Sequence, residues 1–286
     1  MSCFINRITV KTKERIIGPN LEEGMRKPVR ASDFTDESPG RLVTTPEGVP
    51  GFVPNPLRPP IETDLDITNA LVEARGALGY LSGVGQTLPN PHLLIRPFLR
   101  KEAEASSRIE GTLTALSDLL LFEIDSSREP EGSDASEIRN YVAALENGLE
   151  RLEELPVCLR FLRESHTTLM EGVRGQSKSP GEFRRVQNWI GRGPIEDATF
   201  VPPPVNEMRG AISEWEKFVH AESKIPPLIR LALLHYQFEA IHPFEDGNGR
   251  IGRLMIPILM CEWGLIPQPL LYLSVYFERN RRDYFD

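Results

Sequence analysis

The chain has few cysteines, no continuous apolar run and no targeting segment at its start. Only three of its 286 residues are cysteines, and none of them form a CxxC pair, so neither a disulfide framework nor a zinc-finger pattern is indicated. No stretch is apolar over the ~20 residues that a transmembrane helix needs. The first ten residues lack the apolar core of a secretory signal. These absences predict a soluble, cytoplasmic protein with no membrane partner.

The chain also has fewer basic than acidic residues, with 33 Lys and Arg against 41 Asp and Glu. The net charge is −8 and the pI is near 5.4, which argues against nonspecific binding of nucleic acid by the chain as a whole. The apolar content of 40% and the charged content of 26% are ordinary for a globular protein. At this length the chain is predicted to hold one or two domains with a substantial core.

The chain does contain a glycine-rich segment from His242 to Arg253, which reads HPFEDGNGRIGR. Its three glycines and its asparagine lie where a loop would turn into a helix. A helix that begins at Asn248 directs unpaired N–H groups and the positive end of its dipole toward the loop. Glycine lets a phosphate approach this helix start closely. The segment therefore predicts an anion site built from main chain.

Side chains of the same segment suit phosphate chemistry. His242 can take up a proton near neutral pH, and the carboxylate of Asp246 is a hard oxygen ligand suited to Mg²⁺. Arg250 and Arg253 are spaced to share one helical face. A base, a metal ligand, an anion site and two cations within one short segment indicate an enzyme that acts on phosphate groups.

The segment matches the signature HPFxDGNGRxxR of Fic-domain proteins at every fixed position, and the chain resembles that family. The resemblance implies an all-α, mainly helical Fic fold with a small β-hairpin flap. It also implies a protein adenylyltransferase that moves AMP from ATP to a Ser, Thr or Tyr hydroxyl of a protein. His242 would be the general base, and Asp246 would hold Mg²⁺. The residues expected to bind ATP and its phosphates are Gly247, Asn248, Gly249, Arg250, Ile251, Gly252 and Arg253.

A second segment, Ser106 to Gly111, reads as the end of a helix that a glycine stops. Glu110 would lie in the last helical turn, where a negative charge opposes the helix dipole and needs another source of stabilisation. The segment resembles the family's inhibitory motif, Ser/Thr-x-x-x-Glu-Gly/Asn, with Ser106, Glu110 and Gly111 in the matching positions. The resemblance implies that Glu110 pairs with Arg253 and that the upstream helix inhibits the protein.

Periodicity and turn residues divide the rest of the chain. Residues 1–60 are rich in proline and are expected to form an extended, irregular arm. Residues 61–135 are expected to form a helical region that carries the inhibitory helix, and residues 136–286 the Fic catalytic core. The predicted helices are 61–81, 97–109, 112–124, 137–155, 157–170, 205–219, 227–240 and 251–263, and residues 270–284 are a last amphipathic stretch. The helix at 227–240 is apolar nearly all round, so it and the helix at 251–263 are predicted to be buried.

A few residues outside the motifs carry predictions of their own. Gly83 and Gly85 are expected to end the first helix, because glycine disfavours a helical interior. His166 is predicted to be a polar-face or capping residue without a catalytic role. His235 is predicted to be a hydrogen-bonded residue of the core.

Residues 175–204 combine apolar positions with many turn residues, which predicts a β-hairpin. By resemblance this hairpin is the flap that docks an extended target segment through main-chain bonds. Thr199, Phe200 and Val201 are the expected docking edge. Tyr284, which follows the signature segment, is the candidate for the adenine pocket.

Other interpretations stay open from the sequence. Some relatives transfer phosphate, phosphocholine or UMP. The enzyme could instead remove AMP, with Glu110 orienting a water, or work in both directions. A regulator that senses ATP without turnover is a third alternative, although an intact His242 argues against it. A homodimer is expected from the family. The chain stops at Asp286 without a helix-ending signal, and similar proteins often continue into a winged-helix module, which would be the route to a nucleic-acid partner.

Overall fold

The computed structural model describes residues 30–35, 38–57, 64–87, 92–111, 134–191 and 193–285. Contacts divide the chain into two compact units. The first unit consists of Met1–Thr63, Phe183–Glu245 and Phe285–Asp286, and the second of Asp64–Glu182 and Asp246–Tyr284. The predicted helix 112–124 and much of the predicted arm lie outside the described residues. The predicted division at residues 60 and 135 stays a prediction.

Helices make up most of the described chain. The elements in chain order are β1 Gly40–Thr44, β2 Pro50–Pro54, α1 Leu65–Thr87, α2 His92–Ile109, α3 Asp134–Arg151, α4 Leu159–Leu169, α5 Val205–His220, α6 Pro227–Ile241, α7 Asn248–Glu262, α8 Ser274–Arg279 and α9 Arg281–Phe285. Short 3₁₀ turns lie at Ala31–Asp33 and Ile195–Asp197.

The second unit is built around α7, which packs against α2, α3 and α4. This helix is buried almost all round, as the sequence predicts for 251–263, because an apolar helix must cover every face. Gly148 on α3 permits a close approach, since a Cβ there would lie 2.9 Å from Cδ1 of Ile258. The signature segment starts this helix, so the packing of α7 also fixes the position of the helix start.

The first unit contains β1, β2, α5 and α6. The predicted buried helix over 227–240 is confirmed as α6, which packs against α5 and β2. The indole of Trp215 donates to the carbonyl of Leu234 at 2.9 Å, and Nε2 of Gln237 donates to the carbonyl of Asn55 at 3.1 Å. These bonds satisfy buried polar groups within an apolar helix. Helix α6 ends at Ile241, directly before His242.

Two helix boundaries predicted from glycine and proline are wrong. Helix α1 runs through Gly83 and Gly85 to Thr87, although each glycine weakens a helix by about 1 kcal/mol. Gly85 has a packing reason, because a Cβ there would lie 2.4 Å from Cδ1 of Leu270. Helix α2 begins at His92 and includes Pro97, although the predicted helix starts at residue 97 and proline disfavours a helical interior.

The predicted fold class, mainly helical with a small hairpin, is confirmed, but the hairpin lies elsewhere in the chain. It is formed by β1 and β2, which pair antiparallel inside the arm that was expected to be irregular. Within 175–204 the described residues form a single isolated bridge, Ile190 to Phe200. The three prolines that follow, Pro202–Pro204, have no N–H donors, so a ladder cannot continue there.

None of the helices in the described part of the chain combines the length and the apolar character needed to span a bilayer.

Candidate functional site

From Asp246 onward, the signature segment lies in the second unit and forms the start of α7. Gly247 caps the helix in a left-handed conformation, with φ 74° and ψ 6°, and its carbonyl accepts the N–H of Ile251 at 3.0 Å. A Cβ on Gly247 would lie 2.8 Å from Sδ of Met170, so both the backbone and the space require glycine. We call Gly247, Asn248 and Gly249 the cradle. The N–H groups of a helix start lack intrahelical partners and favour an anion.

Asp246 precedes the cradle. Its Oδ1 accepts the N–H of Gly247 at 2.7 Å and lies 3.9 Å from Nη2 of Arg250. The side chain is 42% exposed, so an ion can reach it. Among the described residues, no group of three His, Cys, Asp or Glu side chains is arranged to hold a metal ion. A single carboxylate still fits Mg²⁺, which proteins often bind through one carboxylate, substrate phosphates and water.

Arg253 is buried in α7, at 1% side-chain exposure, and polar groups of the second unit surround it. Nε donates to Oγ of Ser106 at 2.9 Å, and Nη2 donates to the carbonyl of Ser106 at 3.0 Å. Nη2 also donates to Oε1 of Glu110 at 2.6 Å, and Nη1 lies 3.4 Å from the hydroxyl of Tyr284. The Glu110–Arg253 contact that the resemblance implies is therefore present, while its inhibitory role stays a prediction.

The carboxylate of Glu110 also lies against the cradle. A Cβ on Gly249 would come within 2.2 Å of Oε1 of Glu110 and 2.9 Å of Nη1 of Arg253. Glycine at this position thus makes room for an anion beside the helix start. The helix dipole and the guanidinium both attract negative charge to this place, and here a side chain of the protein supplies it.

Arg250, the other arginine of the signature, is held inside the second unit. Its side chain is 3% exposed, and Nη1 lies 3.3 Å from Oε2 of Glu137, which is 2% exposed. Nη2 contacts Sδ of Met170 at 3.4 Å. Separating a buried ion pair is costly, so Arg250 anchors the start of α7, and its contact with phosphate stays a prediction.

In the first unit, His242 follows α6 in a left-handed conformation, with φ 49° and ψ 61°. Its N–H donates to the carbonyl of Phe238 at 3.0 Å, and Nδ1 lies 3.2 Å from the carbonyl of Glu239. Because a carbonyl can only accept, the neutral ring is assigned its proton on Nδ1 and keeps its basic lone pair on Nε2. This is the tautomer needed by a base that acts through Nε2.

Arg184 and Asn188 hold this turn within the first unit. Nε of Arg184 and Nδ2 of Asn188 both donate to the carbonyl of His242, at 2.9 Å and 3.2 Å. The other nitrogens of Arg184 donate to the carbonyls of Val186 and Pro203. Burial lowers the pKa of Arg184 to about 10, so its side chain stays charged at neutral pH. These bonds stabilise a backbone conformation that is unfavourable for histidine.

Arg184→Met is expected to lower the free energy of unfolding by about 2–4 kcal/mol, because buried carbonyls lose their donor. Urea denaturation of the wild type and the variant measures this loss. Arg185→Met is the matched control, since Arg185 is the next residue and is exposed; its expected change is below about 0.5 kcal/mol. Equal losses in the two variants would contradict the structural role of Arg184.

The prediction that His166 lies on a polar helix face is wrong. The side chain is 1% exposed and shares the buried stripe of α4 with Phe161 and Leu162. Nδ1 accepts the N–H of Gly181 at 2.8 Å, and Nε2 lies 3.0 Å from the carbonyl of Asp246. Burial lowers the pKa of His166 to about 4. Its place on an apolar stripe is the signal in the sequence that it needs buried hydrogen-bond partners.

This pKa predicts acid sensitivity of the fold. An unfolded histidine has a pKa near 6.5, whereas folded His166 has one of about 4, so the unfolded state binds the proton first as pH falls. The contribution of neutral His166 to the free energy of unfolding is fully present above about pH 6.5. It decreases progressively as pH falls toward 4, by up to about 3 kcal/mol. Urea denaturation at several pH values should show a smaller decrease in His166→Gln than in the wild type. Parallel curves would contradict this assignment.

The predicted docking edge uses much of its main chain internally. The N–H and the carbonyl of Phe200 both bond to Ile190, at 3.2 Å and 2.8 Å. The N–H of Thr199 also bonds to the carbonyl of Ile190 at 2.8 Å, and the carbonyl of Val201 accepts the N–H of Phe52 at 2.9 Å. A role for Thr199, Phe200 and Val201 in target docking stays a prediction.

Tyr284 lies in the second unit, where its ring stacks on Phe277 with centroids 4.5 Å apart and its hydroxyl lies beside Arg253. Its role in an adenine pocket stays a prediction. His235 is buried in α6, as predicted for a core residue.

Comparison with known families identifies the class of protein. Residues 68–150 match the model of the Fic/DOC family N-terminal region, and residues 156–260 match the model of the Fic/DOC family. Together these matches span more than half of the chain. The chain therefore belongs to the Fic/DOC family.

Two curated relatives are both described as protein adenylyltransferase Fic. The protein from Culex quinquefasciatus is 30% identical over 132 residues, which are 46% of this chain and 23% of the relative. The protein from Drosophila melanogaster is 29% identical over 118 residues, which are 41% of this chain and 22% of the relative. The match thus covers less than a quarter of each relative's length.

Solved structures show the same mainly helical Fic fold. A Fic family protein from Desulfovibrio desulfuricans G20 aligns with a TM-score of 0.59 at 25% identity, over 80% of this chain and 67% of that one. A Fic domain containing signaling protein from Bacteroides thetaiotaomicron VPI-5482 aligns with a TM-score of 0.58 at 23% identity, over 73% and 79% of the two chains.

Proposed function

We propose that the protein is an adenylyltransferase that moves AMP from ATP to a Ser, Thr or Tyr hydroxyl of a protein and releases diphosphate. The observation that carries this proposal is the carboxylate of Glu110, which lies against Gly249 and pairs with Arg253 at 2.6 Å. A carboxylate held at a helix start and on an arginine marks a place that suits a phosphate equally well. The similarity to protein adenylyltransferases supports the same reaction.

Each group of the signature has a role in this reaction. Nε2 of His242 takes the proton of the target hydroxyl. The hydroxyl oxygen bonds to the α-phosphorus, and the bond from that phosphorus to the bridging oxygen of the leaving diphosphate breaks. The N–H groups of Asn248 and Gly249 bind the α-phosphate, because the N–H of Gly247 already donates to Oδ1 of Asp246. Arg253 binds the γ-phosphate as a planar multi-donor cation. A Mg²⁺ ion held by Asp246 and the phosphates, when bound, offsets developing negative charge.

The same contacts support autoinhibition. Glu110 and the γ-phosphate compete for Arg253. While the Glu110–Arg253 ion pair persists, ATP binds without the contact between Arg253 and its γ-phosphate. Catalysis in this account comes from positioning and electrostatics. Loss of the contact between Arg253 and the γ-phosphate therefore suppresses transfer. A homodimer and a target protein with an exposed hydroxyl stay predictions from the family.

Mass spectrometry of intact protein after incubation with Mg²⁺-ATP tests the reaction. Glu110→Gly is expected to acquire a 5′-adenylyl adduct on itself or on added protein, and the wild type is expected to acquire little. Bound nucleotide without an adduct in either form would favour ATP sensing without turnover.

Removal of AMP is the second candidate, because the carboxylate of Glu110 is 36% exposed and is therefore accessible to a water. Protein labelled by Glu110→Gly, purified and then mixed with the wild type, should lose its adduct if removal dominates. An adduct that persists excludes removal under those conditions.

A further inference from the structure

His166 is a buried imidazole of the second unit that the proposed reaction leaves without a role. Nδ1 faces the N–H of Gly181 at 2.8 Å, and Nε2 faces the carbonyl of Asp246 at 3.0 Å. An amide N–H can only donate and a carbonyl can only accept, so the neutral ring is assigned its proton on Nε2. His166 thereby ties Gly181 to the residue that precedes the cradle.

The bond to Asp246 also determines the direction of the first amide of the cradle. The carbonyl of Asp246 and the N–H of Gly247 belong to one planar peptide group, so a donor that holds the carbonyl aims the N–H the opposite way. That N–H donates to Oδ1 of Asp246 at 2.7 Å. The imidazole bounds the same space, since a Cβ on Gly247 would lie 3.3 Å from Nε2 of His166.

We propose that His166 is a positioning residue for the carboxylate of Asp246 and for the cradle. Its Nε2–H fixes the peptide group between Asp246 and Gly247, which in turn fixes the carboxylate that would receive Mg²⁺. Groups that orient a metal ligand without touching the metal typically change metal affinity by about 10–100-fold. The inference rests on the proposed function, because it assumes that Mg²⁺ and ATP bind at this loop.

Two substitutions separate the two bonds of the ring. In His166→Gln, the amide nitrogen reaches the place of Nε2 and keeps a donor for Asp246, while the acceptor for Gly181 is lost. In His166→Asn, the amide oxygen lies near the place of Nδ1 and keeps the acceptor for Gly181, while the donor for Asp246 is lost. Each variant is made in the Glu110→Gly background, and thermal melting checks that both variants fold.

The Mg²⁺ concentration needed for half-maximal adenylylation is expected to rise about 10–100-fold in His166→Asn and less than about 3-fold in His166→Gln. The rate at saturating Mg²⁺ should fall much less than this in both folded variants. Isothermal titration of ATP at several Mg²⁺ concentrations gives a second measurement that needs no turnover, and the same order of variants is expected.

Equal shifts in the two variants, or no shift in His166→Asn, would overturn the positioning role. A Glu110→Gly background that binds Mg²⁺-ATP but forms no adduct would instead count against the proposed reaction. In that case the titrations alone decide the role of His166. A background that shows no Mg²⁺-dependent ATP binding overturns the inference about His166 as well.

Discussion

His242→Ala is expected to lower adenylylation by about 10²–10⁴-fold, the range that a positioned proton acceptor contributes. The substitution removes the ring whose Nδ1 faces the carbonyl of Glu239 at 3.2 Å and whose other nitrogen is the base. The measurement is transfer from ATP labelled at its α-phosphate, carried out in the Glu110→Gly background. Affinity for Mg²⁺-ATP should change little, because the cradle and Arg253 are unaltered.

His220→Ala is the matched control for this experiment. His220 lies at the end of α5, is exposed and lies outside the signature segment, so transfer should stay within about 2-fold of the background. The account of His242 is wrong if the His242→Ala variant keeps a third or more of the background rate while remaining folded.

Glu110→Gly is expected to raise adenylylation by about 10–100-fold over the wild type. The substitution removes a charge-assisted bond of 2.6 Å to a buried guanidinium, and hydrogen bonds to charged groups contribute about 1.5–3 kcal/mol. Each 1.4 kcal/mol released corresponds to about tenfold in the competition for Arg253. Glu110 follows the last residue of α2, so glycine at this position does not weaken a helical interior.

Glu104→Ala serves as the comparison within the same helix, because alanine does not weaken the helical interior. Glu104 pairs with Arg108, so its loss removes an acidic side chain without freeing Arg253, and no activation is expected. Equal activation by both substitutions would indicate general loosening of α2. An inactive Glu110→Gly variant that still binds Mg²⁺-ATP would remove the basis for autoinhibition.

The parts of the fold that could be predicted are those in which local pattern and packing agree. Helices α6 and α7 are apolar nearly all round, so the sequence predicts buried helices and the structure contains them. The hairpin at β1 and β2 was missed because prolines begin and end β2, where a strand at a sheet edge tolerates them. Dense prolines predict an irregular arm instead.

The candidate site was predictable where residues lie in one short segment and hidden where they come from distant parts of the chain. The cradle and Asp246 follow from the signature segment itself. The contact between Glu110 and Arg253 came from the resemblance, since nothing local links residues so far apart. His166 was missed because one histidine in an amphipathic helix carries no motif, and its partners Gly181 and Asp246 meet it through tertiary packing.

The most direct test is a crystal structure of Glu110→Gly with Mg²⁺ and a non-hydrolysable ATP analogue. The account predicts phosphate oxygens within about 2.7–3.2 Å of the N–H groups of Asn248 and Gly249, with Arg253 bonded to the terminal phosphate. A fully occupied nucleotide that binds elsewhere, with no phosphate at the start of α7, would contradict it.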